Sequence, residues 1–107
     1  MRLSTNELEG IIKAFKTFIS EYEAHLYLFG SRAKDSERGG DIDLLVIIKN
    51  EDILPGLKKQ KPVILNEIKK SIGDQKIDLL LESESSINDN PFLQSTLSHA
   101  TLIKKWG

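Results

Sequence analysis

Between residues 6 and 22 the apolar side chains Leu8, Ile11, Ile12, Phe15, Phe18, Ile19 and Tyr22 recur at steps of three and four, and Ser4, Thr5 or Asn6 can cap the start. That spacing places them on one face of an amphipathic helix. From His25 to Phe29 the chain becomes aromatic and apolar and then stops at Gly30, which predicts a short strand running into a tight turn. Residues 42–48 lack a polar face after Asp43, the mark of a strand covered on both sides and therefore central.

The segments between these elements follow from their breakers. Residues 31–35 are expected to begin a short helix with Ser31 at its N-terminus, and Ser36-Glu37-Arg38-Gly39-Gly40 a polar return. Pro55-Gly56 is expected to break the chain. Pro62 suits the first turn of a helix whose apolar positions are Val63, Ile64, Ile68 and Ile72, ending at Gly73-Asp74. A strand, a helical crossover and another strand form a right-handed unit with parallel neighbouring strands, so Asp43 and Asp78 should begin adjacent strands. The shorter link between the first two strands predicts antiparallel pairing, with Gly30-Ser31 facing the aspartates. Ser83-Glu84-Ser85-Ser86 reads as a polar loop, residues 91–99 as a last helix, and Thr101-Leu102-Ile103 as a short strand or extended tail. The expected class is α+β (mixed α/β): a small mixed β-sheet with helices packed on it.

Composition narrows the possibilities. A chain of 107 residues has room for one domain, residues 1–107, and none for a separate substrate-binding domain. Fifteen Lys and Arg against sixteen Asp and Glu give a net charge of -1, without the basic footprint that a long nucleic acid requires. There are no cysteines, which excludes disulfides, thiolate metal sites and a Cys nucleophile. The polar, acidic start lacks the apolar stretch of a signal peptide, and the apolar run at residues 44–48 is too short to span a bilayer. The expectation is a cytoplasmic protein with no membrane partner.

The chemistry concentrates in two similar strings, Asp41-Ile42-Asp43-Leu44-Leu45-Val46 and Lys76-Ile77-Asp78-Leu79-Leu80-Leu81, both too apolar for loops and both carrying acid at their start. On a strand, residues two apart point the same way with α-carbons about 6.6 Å apart, and a neighbouring strand lies about 4.8 Å away. Asp41, Asp43 and Asp78 can therefore converge, and carboxylates crowded together either take up protons or recruit a cation. Oxygen-only ligands favour Mg2+ or Mn2+, and a pair of ions about 3.5–4 Å apart is the usual arrangement for in-line attack on phosphorus. About one chain in three of this length would hold some D-x-D by accident. The accident becomes improbable once the pair must begin a buried strand, follow Gly-Ser closely and be answered by a third Asp in the matching place.

Gly30 allows close approach of backbone to a ligand, and Ser31 offers a hydroxyl and amides at a helix N-terminus, so together they should hold a triphosphate. Arg32, Lys34 and Arg38 lie between the turn and the acids, and Arg32 is the best placed to pair with phosphate oxygens. Lys58, Lys59 and Lys61 read as the exposed flank of a connector. His25 and His99 lack metal-ligand spacing and read as packing or surface residues, while Trp106 could cover the core or meet a partner.

Leu28-Phe29-Gly30-Ser31-Arg32-Ala33, then Gly40-Asp41-Ile42-Asp43-Leu44-Leu45-Val46, then Ile77-Asp78-Leu79 resemble the minimal nucleotidyltransferase (MNT) branch of the DNA polymerase β superfamily. The resemblance follows the order of elements over nearly the whole chain. Gly40 departs from it, because relatives often carry Ser before the first Asp. The resemblance implies a nucleotidyltransferase fold, with Asp41 and Asp43 ligating two Mg2+ ions and Asp78 completing one metal site and helping to deprotonate the acceptor. It implies ATP as substrate and a helical HEPN-type protein as partner, in a toxin–antitoxin pair. The leading expectation is transfer of AMP from ATP to a tyrosine of that toxin. A non-catalytic antitoxin that binds nucleotide and neutralises its partner by contact is the alternative from a different class. Adenylylation of a small molecule such as an aminoglycoside is a third reading, disfavoured because no pocket domain is expected.

Overall fold

A computed structural model describes residues 3–30 and 41–107. Helix α1 spans Thr5–Ile19 and starts where a capping box closes. The Glu7 amide donates to Ser4 Oγ at 3.1 Å and the Ser4 amide to Glu7 Oε1 at 3.0 Å, satisfying two orphan donors at once. The helix ends before the expected Tyr22 because the chain turns at Ser20 to begin β1, Ala24–Phe29. Strand β2 is Ile42–Ile48, in which every residue except Asp43 is buried.

A 3-10 turn, Glu51–Ile53, capped by Asn50, leads into helix α2, Leu54–Lys59. Here the expected break at Pro55-Gly56 does not occur. Pro55 lies in the first turn of α2, where a missing amide hydrogen costs nothing, so it starts a helix instead of ending one. Helix α3, Lys61–Ile72, carries Pro62 in the same role and stops at Gly73, whose φ of 92° few other residues adopt. Strand β3 is Ile77–Ser83. The serine-rich segment after it is helix α4, Glu84–Asn88, and not a loop: Ser83 Oγ accepts from the Ser86 amide at 3.2 Å and caps it. Helix α5, Pro91–Ser98, is capped by Asn90, and the C-terminal segment is a full strand, β4, Thr101–Trp106.

The four strands lie in the order β3-β2-β1-β4. β2 runs parallel to β3, while β1 is antiparallel to both β2 and β4, with an irregularity between Leu26 and Tyr27 on the β4 side. Alternation along the strands sends Leu26, Leu28, Leu44, Val46, Ile48, Leu79 and Leu81 to one face, against Ile11, Phe15 and Ile19 of α1 and Ile64 and Ile68 of α3. Trp106 joins this core. The opposite face carries Leu45 and Ile47 under Leu93 of α5, flanked by Tyr27, Phe29, Leu80, Ile87 and Leu97. The result is the mixed α+β arrangement expected of the sequence. No helix among the described residues is long and apolar enough to cross a membrane.

Candidate active site

The parallel pairing of β2 and β3 fixes which acids meet. Ile42 pairs with Ile77 and Asp43 with Asp78, and the register is anchored by the Ile42 amide donating to the Lys76 carbonyl at 3.0 Å. Because Leu44 faces α1 and α3, Asp43 emerges on the opposite face, at the end of the sheet where β2 and β3 begin. Asp78 stands beside it, exposed.

On the other flank β1 ends against the same residue. Phe29 pairs with Asp43 across the antiparallel ladder, and Gly30 follows with φ of 71°. A β-carbon at Gly30 would stand 2.1 Å from Asp43 Oδ2, so only glycine lets this turn lie against the carboxylate. Ser31 and Arg32, expected to hold phosphate, lie outside the described residues, as do Lys34, Arg38 and Gly40.

The electrostatics record crowding. The Asp43 carboxyl is pushed up to about 6 from an ordinary 3.8, first by burial, then by its hydrogen bond to Asp78 and the negative charges of Asp78 and Asp41. Lys76 opposes that shift. Asp41 is paired with a lysine: its Oδ2 lies 3.3 Å from Lys76 Nζ. As the side chains stand, no group of three or more His, Cys, Asp and Glu among the described residues encloses an ion position. Asp43 and Asp78 are therefore together, and Asp41 is paired with Lys76.

Lys76 is the residue that sequence reasoning misses, since the second string opens with lysine and not with acid. A signal for it exists: Lys76 precedes Asp78 by two residues as Asp41 precedes Asp43, so parallel register sets Lys76 across from Asp41. The neighbouring loop is tied to α1 by Gln75, whose Nε2 donates to Glu7 Oε2 at 2.8 Å and to the Ile72 carbonyl at 3.2 Å. The two histidines lie apart from the acids. His25, opposite Ile47, has Nδ1 3.4 Å from the Tyr27 hydroxyl, and His99 Nδ1 lies 2.9 Å from Ser98 Oγ.

The donor set suits a hard divalent cation. It is made of carboxylate oxygens, partly desolvated, with a mutual repulsion that a cation in place of the shared proton would relieve. Asp43 and Asp78 could hold such an ion between them, with Asp41 joining once it leaves Lys76.

No curated protein matches the chain. The model of the family described as Polymerase beta, Nucleotidyltransferase matches residues 9–105, a span that contains the Gly30 turn and all three aspartates. With nearly the entire chain covered, including every strand that positions those acids, the protein belongs to the polymerase beta nucleotidyltransferase family.

Proposed function

We propose that the chain is a single minimal nucleotidyltransferase domain that moves AMP from ATP, with Mg2+, to a tyrosine hydroxyl of a helical HEPN-type toxin, and so acts as an antitoxin. The observation that carries this reading is the register pair Asp43–Asp78 on parallel strands, with Gly30 against Asp43. In the reaction the acceptor oxygen attacks the α-phosphorus, the bond from that phosphorus to the bridging oxygen breaks, and pyrophosphate leaves. Asp78, the more exposed of the paired acids, takes the hydroxyl proton. Asp43 and Asp41 would hold Mg2+, with Asp78 completing the set, and Gly30, Ser31 and Arg32 would seat the triphosphate. Bound Mg2+ supplies charge neutralisation for the triphosphate and the leaving pyrophosphate. The residues themselves contribute positioning and preorganised charge, which carry most of the catalysis in phosphoryl transfer.

Asp78 is exposed at the end of the sheet, so a tyrosine carried on another protein can reach it. The test is incubation of the purified chain with ATP, Mg2+ and the protein encoded beside it, read by mass spectrometry. One or more AMP additions on a tyrosine are expected, and none with Asp41→Asn plus Asp43→Asn. Neutralisation that persists in the triple Asp→Asn variant without any adduct would replace catalysis by contact as the mode of action.

A further inference from the structure

Lys76 sits where a cation already occupies the acidic cluster. Its ammonium lies 3.3 Å from Asp41 Oδ2, and the parallel register of β2 and β3 sets the two residues opposite each other. Its backbone is fixed by the Ile42–Lys76 ladder bond, whereas its side chain is 73% exposed and free to change partner. Of the ion pairs among the described residues, only this one engages an acid of the site. An exposed pair contributes little to folding and exchanges readily.

Resting on the metal-dependent reading above, we propose that Lys76 is a positioning residue and an internal counter-ion: it occupies Asp41 in the metal-free chain and passes to the phosphates of the nucleotide when Asp41 turns to a divalent cation. Two cations cannot share one carboxylate oxygen at this range without repulsion, so cation uptake at Asp41 displaces the ammonium. A nucleotide triphosphate arriving at the same sheet end offers it a better partner than water. The exchange makes cation and nucleotide binding mutually reinforcing, and that coupling is reciprocal. It also keeps Asp41 neutralised while the site waits.

The experiment measures Mn2+ binding by electron paramagnetic resonance, and binding of α,β-methylene ATP by calorimetry with and without Mn2+, for the full chain and for Lys76→Met and Lys76→Arg. Lys76→Met is expected to bind Mn2+ alone about fivefold more tightly and the nucleotide in the presence of Mn2+ about fivefold more weakly, with nucleotide binding in the absence of Mn2+ unchanged, so that the coupling between them falls about fivefold. Lys76→Arg should restore the coupling. A lysine that is only a bystander would raise Mn2+ affinity on removal and leave nucleotide affinity unchanged or stronger, which overturns the proposal. Unchanged Mn2+ affinity in Lys76→Met overturns it as well, with the metal site intact. A wild-type chain that binds no Mn2+ even with nucleotide would instead remove the metal-dependent reading on which both rest.

Discussion

Gly30 and Asp43 approach so closely that a β-carbon on the glycine would stand 2.1 Å from a carboxylate oxygen. The contact joins the end of β1 to the start of β2 and couples the turn to the acid. Gly30→Ala must therefore displace Asp43 and strain a backbone whose φ is 71°, at a cost of about 1–2 kcal/mol. Displacing a reacting group by about 1 Å is enough to slow an enzyme roughly 100-fold. The variant is expected to keep its far-ultraviolet circular dichroism and lose nucleotidyl transfer by at least that factor in a single-turnover assay. Wild-type turnover would show that the carboxylate tolerates the shift.

The proton on Asp43 ties stability to pH with a definite sign. Its carboxyl is raised to about 6 in the folded, metal-free chain from 3.8. The folded state therefore holds a proton that the unfolded state releases between these values. The stability this gives is complete below about pH 4, declines as pH rises and is gone above about pH 6. Asp43→Asn removes the charge that is squeezed at neutral pH, and should stabilise the metal-free protein at pH 7.5 by about 1 kcal/mol, a value reduced from the full shift by solvent screening. At pH 4 the gain should vanish. Mg2+ should raise the melting temperature of the wild type at pH 7.5 and leave that of Asp43→Asn nearly unchanged, and its effect on the wild type should weaken below pH 6 as protons compete for the same oxygens. Thermal melts at four pH values, with and without Mg2+, measure all of this.

The legibility of these elements in the sequence depends on the range of the interactions that make them. β2 and β3 can be read because their Ile-Asp-Leu-Leu strings are too apolar for loops, and their right-handed connection dictates parallel pairing, which brings Asp43 to Asp78. Helix α2 and helix α4 look like a break and a loop because proline and serine mark turns as well as helix starts, and only the packing of the next few residues separates the two. The full length of β4 depends on β1 offering it an open edge, a non-local fact absent from Thr101-Leu102-Ile103 itself. Lys76 is inconspicuous because a lone lysine resembles solvated surface until the register sets it opposite Asp41. Ser31 and Arg32 fall outside the described residues, so their expected contacts with phosphate stand on the sequence.

Packing of α1 on α3 depends on Gly10, where a β-carbon would meet Ser71 Cβ at 2.8 Å and Ile72 Cγ2 at 3.0 Å. Neither neighbour is the far end of a flexible side chain, so the helices must separate. Gly10→Val is expected to lower unfolding free energy by about 1–3 kcal/mol, in the range of overpacked cores. Ser71→Gly removes the β-carbon that Gly10→Ala would strike, so the pair should show a favourable coupling in a double-mutant cycle by urea denaturation. Additive losses would indicate that the two helices can part without cost.

Leu44 tests whether the acids rest on the core beneath them. It is fully buried, pairs with Leu28 and Leu79 on its two neighbouring strands, and adjoins Asp43 in sequence. Leu44→Ala leaves a void between the sheet and the helices on its inner face, and such truncations cost about 3–5 kcal/mol. For a chain of 107 residues that is a large share of the total, and the melting temperature should fall by more than about 12 °C. Leu102, 45% exposed on the edge strand, provides the contrast: Leu102→Thr should change stability by less than about 0.5 kcal/mol. The added expectation for Leu44→Ala is looser Mn2+ binding at temperatures well below its melting point, because the carboxylate next in the chain is aimed by this side chain's anchorage. Native Mn2+ affinity in a destabilised Leu44→Ala would mean that the backbone ladder between β2 and β3 holds Asp43 and Asp78 in place without help from the core.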